Sequence, residues 1–219
     1  MTESTLPPRT RAKDPDRTRQ AILQGALKEF ALRGYDGATV RGIARRIDMS
    51  HGMIRYHFDG KEQLWKAAVD YLFAQLEREV MAEENFEERL LQDGDLDAFR
   101  EFLRRYVHYC ARHPEHAQIV MQESVAQSPR LDYLAGTHVR RSHEGAIPVV
   151  EYLRDRGYFP KGLSPASILY MITGACQNVF AMAAESRLSL GEDVTQDANI
   201  AAHAEAIAAI FCPETPPFE

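Results

Sequence analysis

Cationic and hydrogen-bonding side chains are concentrated between residues 39 and 61, where they are suited to contact a nucleic acid. Arginine can donate two hydrogen bonds to a single guanine edge, and hydroxyl and ammonium groups can bind phosphate oxygens. Such recognition needs these groups to be held on one surface, with no bond made or broken. The candidate contact residues are Thr39, Arg41, Ser50, His51, Gly52, Met53, Arg55, Tyr56, His57 and Lys61.

The other reactive side chains form no known catalytic or metal-binding motif. The sequence contains no glycine-rich phosphate loop, no nucleophile elbow and no paired-histidine zinc motif. Ser142, His143 and Glu144 are consecutive, so their side chains point around a helix and do not converge. Pro114 interrupts the cluster of His108, His113, Glu115 and His116. We therefore expect no enzyme activity, no metal and no cofactor.

The composition is that of an ordinary globular protein. The three cysteines, Cys110, Cys176 and Cys212, are widely separated, which favours reduced thiols over a disulfide framework. The N-terminal residues are polar and lack the apolar core of a secretory signal. No apolar stretch approaches the roughly 20 residues that span a bilayer. These features predict a cytoplasmic protein that does not bind a membrane.

The spacing of apolar residues predicts helices that would position the candidate residues. A periodic pattern predicts a first helix over 16–33, which Gly34 ends. Thr39 can cap a short second helix, and Ser50 can cap a third that ends near Phe58. Two short helices with a tight turn, preceded by a longer one, describe a helix-turn-helix, although a compact helical hairpin fits the same spacing.

The remaining sequence also has helical periodicity, so we predict an all-α fold of about nine helices. The acidic residues of 83–97 predict a loop or a frayed turn, and Pro148 predicts a kink in the seventh helix. The eighth helix is predicted over 165–187 and the ninth over 196–211. Both carry more apolar surface than one core-facing stripe requires, which predicts contact with a partner.

The net charge of -6 conceals an uneven distribution along the chain. Residues 1–66 contain 13 Lys and Arg against 8 Asp and Glu, whereas residues 67–219 contain 13 against 24. A basic segment on an acidic chain is typical of a protein that contacts nucleic acid through that segment.

An ordered series of residues in the basic segment matches the signature of a known family. The series is Gly34-Tyr35, Thr39-Val40, Ile43-Ala44, Ser50, Gly52, Tyr56-His57-Phe58, Lys61-Glu62 and Leu64. Over about residues 17–66 the sequence therefore resembles the tetracycline-repressor (TetR) family of bacterial transcriptional regulators. Elsewhere only the overall layout is similar. The resemblance implies a flexible basic arm over 1–15, a helix-turn-helix DNA-binding domain over 16–62, and a ligand-binding and dimerisation domain over 63–219.

The resemblance also implies roles for single residues. Thr39 and Lys61 correspond to backbone-anchoring positions at helix starts, where free N–H groups favour phosphate. Gly52 would let the third helix approach DNA closely. The family commonly has an aromatic residue where this sequence has Arg55, which makes Arg55 the leading candidate for reading a base; a phosphate contact or an internal salt bridge is the alternative.

The first residues of the chain form a predicted basic arm. Its members would follow the minor groove or the phosphates, or form a solvated tail. The arm comprises Arg9, Arg11, Lys13, Arg17 and Arg19.

For the rest of the chain, the resemblance implies a small-molecule inducer held among helices four to eight and a dimer formed through helices eight and nine. The candidate pocket residues are Phe102, Tyr106, Tyr109, Met121, Tyr152, Met171, Cys176, Gln177 and Phe180. The candidate interface residues are Ile172, Val179, Ala183, Ile200, Ala204, Ile207 and Phe211. The same side chains would also suit a helical core.

Together these inferences predict a homodimeric, ligand-responsive DNA-binding regulator. We expect a repressor that a small molecule releases from a pseudo-palindromic operator. The alternatives are a helical enzyme or small-molecule carrier with an unused helix-turn-helix, and an activator without an inducer.

Overall fold

The computed structural model describes residues 14–81 and 86–218, and all regular structure within these ranges is helical, as predicted. The chain divides into two compact units, Met1–Ala68, called the head below, and Val69–Glu219, called the body. The helices are α1 Pro15–Gly37, α2 Val40–Arg46, α3 His51–His57, α4 Lys61–Val80, α5 Phe86–Asp93, α6 Leu96–Arg112, α7 Glu115–Ala126, α8 Pro129–Tyr133, a π-helical turn Leu134–Val139, α9 Arg140–Asp155, α10 Pro165–Ala181, α11 Ala183–Ser189 and α12 Asp197–Phe211.

The capping residues of the head act as the sequence predicts. Oγ1 of Thr39 accepts a hydrogen bond from the amide of Gly42 at 2.9 Å, and Oγ of Ser50 accepts one from Met53 at 3.3 Å. Each bond satisfies an amide that has no partner within its helix. Gly34 has a φ of 66° and ends the regular part of α1. The short helices therefore begin where side chains fix them.

Apolar packing between the helices of the head fixes α2 and α3 against α1. Ile43, Ile54 and Phe58 are buried, as the helical spacing predicts. Gly25 of α1 has a packing role, since a Cβ added there would lie 2.3 Å from Cγ2 of Ile47. The absence of a side chain at Gly25 therefore lets the end of α2 pack directly on α1.

The predicted basic arm needs a correction. Arg17 and Arg19 lie within α1, and the guanidinium of Arg19 is 5.2 Å from the centre of the Phe58 ring. Asp14 begins the helix before them by accepting a hydrogen bond from the amide of Asp16. Arg9, Arg11 and Lys13 lie outside the described residues.

The body is organised around α6, which contacts both α10 and α12. Arg104 of α6 forms a two-pronged ion pair with Glu205 of α12, at 2.9 and 3.0 Å. Nε2 of His203 on α12 lies 3.0 Å from the carbonyl oxygen of Ala175 on α10. These contacts join the three helices around a buried apolar core.

Two predicted elements of the body were wrong. The acidic segment contains a helix, α5, because Phe86 and Leu90 lie one turn apart and are both buried. The predicted eighth helix is divided into α10 and α11, which are bent by 67° to each other. A side-chain amide from another helix lies at this break, since Nε2 of Gln118 donates to the carbonyl of Ala181 at 3.0 Å.

The predicted seventh helix contains an irregular turn that the sequence does not indicate. The π-helical turn Leu134–Val139 lies before Pro148, which is inside α9.

Over the described residues, no single helix has the length and apolar composition to cross a membrane. The bent pair α10 and α11 reaches that length and composition only when the two helices are counted together.

Candidate functional site

Cationic side chains from three helices of the head line one concave surface. The cavity measures about 340 Å³, and we call it the α3 cavity. Arg41 comes from α2, His51 and Arg55 from α3, and Lys61 from the first turn of α4. Ile54 and Phe58 form its floor from the buried side of α3. Four of the ten predicted contact residues are thus brought together around a cavity that favours an anion.

The opposite faces of α3 differ sharply in exposure. Ile54 is buried and holds the helix on the head, while Tyr56 is 84% exposed. Arg55 is exposed, and within the described ranges the structure assigns it no hydrogen bond or ion pair. The remaining exposed residues of this face are His51, Gly52 and Met53. The helix therefore presents exposed polar groups that an external partner can reach.

Gly52 is not required by the packing of the chain itself. Among the residues that the structure describes, a Cβ added at this position would meet Oγ of Ser50 alone, at 3.9 Å. A glycine inside a helix costs about 1 kcal/mol relative to alanine, so its presence calls for another reason. The predicted close approach of α3 to DNA supplies such a reason.

Lys61 is held in place at the beginning of α4. Its Nζ donates to the carbonyl oxygen of Asp36 at 3.3 Å and lies 4.4 Å from the centre of the Tyr35 ring. Both contacts hold the ammonium group where Lys61 lines the α3 cavity, and the start of a helix also favours an anion. His57, by contrast, is half-buried and its ring packs edge-on against that of Tyr56.

Thr39 lies on the other side of α2 from the α3 cavity. It lines a second concave surface together with Arg33, Arg45 and Arg46. Arg33, Arg45 and Arg46 were not among the predicted contact residues. Arg46 lies two turns after Thr39, so helical spacing could have indicated it. The position of Arg33 depends on how α1 and α2 pack, which the sequence does not reveal.

In the body, most of the predicted pocket residues lie close together. The rings of Phe102, Tyr106 and Tyr109 stack in sequence along α6, with centres 6.1 and 6.4 Å apart. The hydroxyl of Tyr106 donates to Oε1 of Gln177 at 3.4 Å. Cys176, Phe180 and Tyr152 belong to the same apolar cluster. Burial raises the pKa of Cys176 to about 12, so this thiol is protonated at neutral pH.

Two predicted pocket residues do not belong to that cluster. Met121 and Met171 are each about half exposed, at 51% and 49%. Methionine suits both a core and a surface, so helical spacing alone did not distinguish the two positions.

A polar and aromatic cluster next to these residues was missed. The hydroxyl of Tyr109 donates to the carbonyl of Leu72 at 3.2 Å and lies 2.9 Å from Nδ1 of His116. Burial lowers the pKa of His116 to about 4, so the ring is neutral at pH 7. Phe73 stacks on His138 with ring centres 4.7 Å apart. Within the described ranges, no three metal-ligating side chains are grouped to bind an ion.

The predicted dimer interface also needs a correction. Ile172, Ala204, Ile207 and Phe211 are buried inside the protomer, so they are unavailable to a partner. Val179 and Ile200 pack partly against the same core, and Ala183 is half-buried beyond the break at Met182. The exposed sides of α10 and α12 instead carry Tyr170, Met171 and Ile210. Both sides of these helices are apolar, so the sequence pattern does not distinguish the side that forms the core from the exposed side.

Two family models match the chain. The model described as "Bacterial regulatory proteins, tetR family" matches residues 22–68, which include α2, α3 and the start of α4. The model "Tetracyclin repressor-like, C-terminal domain" matches residues 96–210, more than half of the chain. The chain belongs to the TetR family. It is therefore a DNA-binding transcriptional regulator, and its helix-turn-helix is the DNA-binding element.

Other TetR regulators resemble the chain in sequence. The transcriptional repressor NicS of Pseudomonas putida is 28% identical over 176 residues, which cover 76% of this chain and 77% of NicS. The transcriptional repressor AcnR of Corynebacterium glutamicum is 47% identical over 53 residues, 24% of this chain and 28% of AcnR. The second match covers too little of either protein to extend beyond the head.

Solved structures of other proteins share the fold. AibR, crystallised with isovaleryl coenzyme A and operator DNA, has a TM-score of 0.66 at 16% identity, covering 90% of this chain and 98% of AibR. A mutant of HlyIIR has a TM-score of 0.66 at 21% identity, covering 92% of this chain and all of that one. At these identities the comparison shows a common fold alone.

Proposed function

We propose that this TetR regulator represses transcription as a homodimer bound to a pseudo-palindromic operator, and that a small molecule bound in the body releases it. The α3 cavity carries this proposal, because Arg41, His51, Arg55 and Lys61 surround it and the outer side of α3 is exposed. Repressors such as NicS among its relatives support the direction of regulation. Arg55 reads a base in this scheme, and Thr39 and Lys61 anchor phosphates.

The proposed dimer forms through the exposed sides of α10 and α12. His203 and Ala175 mark the line along which these two helices meet. On α10, Met171 lies one turn before Ala175. On α12, Ile210 lies two turns after His203, so each residue shares a helix face with the residue at the line of contact. Both are largely exposed, as is Tyr170. Exposed apolar residues that follow the line of contact suit a self-complementary interface.

The proposed effector site lies within the aromatic cluster of the body. Phe102, Tyr106 and Phe180 supply apolar surface, while Gln177 and the Tyr106 hydroxyl supply polar groups that orient a ligand. An effector can weaken DNA binding only if it prefers the arrangement of the dimer that binds the operator poorly.

Replacement of Lys61 by alanine tests the DNA contact. We expect weaker binding to all duplexes by a similar factor, because a phosphate contact carries no sequence information. Two contacts are lost per dimer, so the dependence of log K on log salt should become shallower by about 2. Fluorescence anisotropy over a salt series measures both effects. Lys66→Ala is the control, since that ammonium already pairs with Glu62 at 2.8 Å. A loss confined to one sequence would contradict the assignment.

A screen of small molecules by thermal unfolding tests the effector site. A ligand that binds the folded body raises the unfolding temperature, and it should lower operator affinity in the same concentration range. Because the two binding equilibria are linked, operator DNA should lower the affinity of the protein for the ligand by the same factor. Ligands that stabilise the body but leave operator affinity unchanged would argue against release by this site.

A further inference from the structure

The second concave surface of the head lies beside α2 and carries a net positive charge. It measures about 630 Å³, and we call it the arginine groove. Arg33 of α1 and Arg45 and Arg46 of α2 line it, together with Thr39 and Glu29. The α3 cavity lies on the other side of α2, whose Val40 and Arg41 line that cavity. Two cationic surfaces therefore lie beside α2.

A buried carboxylate holds two of the three arginines in position. Glu29 is only 4% exposed, and its Oε2 accepts hydrogen bonds from Nε and Nη2 of Arg46 at 3.1 and 2.9 Å. Its Oε1 lies 3.0 Å from Nε of Arg33. Gly42 makes this possible, because a Cβ there would lie 2.6 Å from Oε1 of Glu29. Both guanidinium groups are thus fixed at the edge of the groove.

The charges of the groove do not cancel. Glu29 offsets one positive charge of the three arginines, which leaves two. Arg45 is exposed, and within the described ranges the structure assigns it no ion pair or hydrogen bond. The side chain of Arg33 is 58% exposed, so its remaining N–H groups can reach an anion. Guanidinium groups in this arrangement suit a phosphate, to which they can donate paired hydrogen bonds.

We propose that the arginine groove binds backbone phosphates of the operator beyond the bases that α3 reads, with Arg45 and Arg33 as contacts and Glu29 as the positioning residue. The inference rests on the proposed function and extends its contacts to the far side of α2. A groove of this volume is much larger than one phosphate ion. A DNA strand carries a charge at every nucleotide, so it offers a series of phosphates to the arginines of the groove.

Substitution of Arg45 tests the groove. In the full-length protein, Arg45→Ala should make the dependence of log K on log salt shallower by about 2, because each dimer loses two phosphate contacts. The ratio of specific to non-specific affinity should stay unchanged. Lys28→Ala is the matched control, since Lys28 is an exposed cation of α1 that lines neither concave surface. An Arg45→Ala variant with the wild-type slope would overturn the proposal.

Substitution of Glu29 tests its positioning role, because the two explanations predict opposite changes in DNA affinity. Glu29→Gln raises the charge of the head by one, so attraction to DNA by net charge alone predicts tighter binding. The proposal predicts weaker binding of several-fold, because Arg33 and Arg46 lose the carboxylate that orients them. Thermal unfolding checks that the variant is folded. Equal or tighter binding would refute the positioning role, and Arg45→Ala keeps the test decisive if the buried substitution unfolds the head.

Two further results distinguish failure of the groove from failure of the proposed function and from binding of a free anion. If the wild-type protein shows no sequence preference, the proposed function itself fails; if it binds an operator specifically and Arg45→Ala leaves the salt slope unchanged, only the groove fails. Inorganic phosphate, added without DNA in a thermal unfolding assay, reports a free-anion site. Stabilisation of the wild type but not of Arg45→Ala, combined with an unchanged slope, would assign the groove to a free anion and overturn the proposal.

Discussion

Replacement of Ile210 by glutamate is expected to give a monomer that binds the operator at least about 100-fold more weakly than the wild type. Ile210 is 67% exposed on α12, beside the line where α10 and α12 meet. In a two-fold symmetric interface each substitution appears twice, so two unpaired charges would be buried together. A monomer engages one half-site at a time and loses the effective concentration that links the two heads.

Sedimentation velocity and fluorescence anisotropy on the same sample measure the two effects. Val125→Glu is the control, because Val125 is also exposed and apolar but belongs to α7. The control changes the net charge equally and should remain dimeric. A dimeric Ile210→Glu variant with wild-type affinity would remove α12 from the interface.

Replacement of Arg55 by alanine is expected to abolish the preference for one base pair in each half-site. A bidentate contact from arginine to guanine contributes about 1 to 3 kcal/mol of discrimination, which is about 5-fold to 150-fold in affinity. Arg55 is exposed on α3, so its removal should change the stability of the fold by less than about 0.5 kcal/mol. The effect should therefore lie in binding alone.

Affinities for a set of operators with single base-pair changes locate the position that Arg55 reads. The wild type should discriminate at that position and the variant should not, while the other positions keep their preferences. Lys61→Ala provides the comparison, since it should weaken every duplex equally. A uniform loss across the set for Arg55→Ala would instead assign Arg55 to a phosphate.

The sequence predicts the head well because its determinants are local. Thr39 and Ser50 cap helices that begin one residue later, and Gly34 ends the regular part of α1. In each case the side chain or the missing side chain acts within four residues of its own position. The helix-turn-helix and the exposed face of α3 follow from such signals.

The features that the sequence did not reveal depend on distant residues. Glu29 and Arg46 are 17 positions apart, and their ion pair requires α1 and α2 to be packed together. The break at Met182 contains no glycine or proline, and a hydrogen bond from Gln118 of α7 reaches the carbonyl of the preceding residue, Ala181. Several predicted interface residues lie in the core because α10 and α12 are apolar on both sides, and only burial identifies the side that forms the core.

The most direct test of the regulator's mechanism is selection of bound DNA from a random duplex library by the full-length protein. We predict enrichment of a single inverted repeat whose two half-sites are equally required, as a two-fold symmetric dimer demands. Its affinity should fall steeply with salt and should exceed that for unselected duplexes by about 1,000-fold or more. Recovery of unrelated sequences, or of one unrepeated motif with no dependence on a second half-site, would contradict the account.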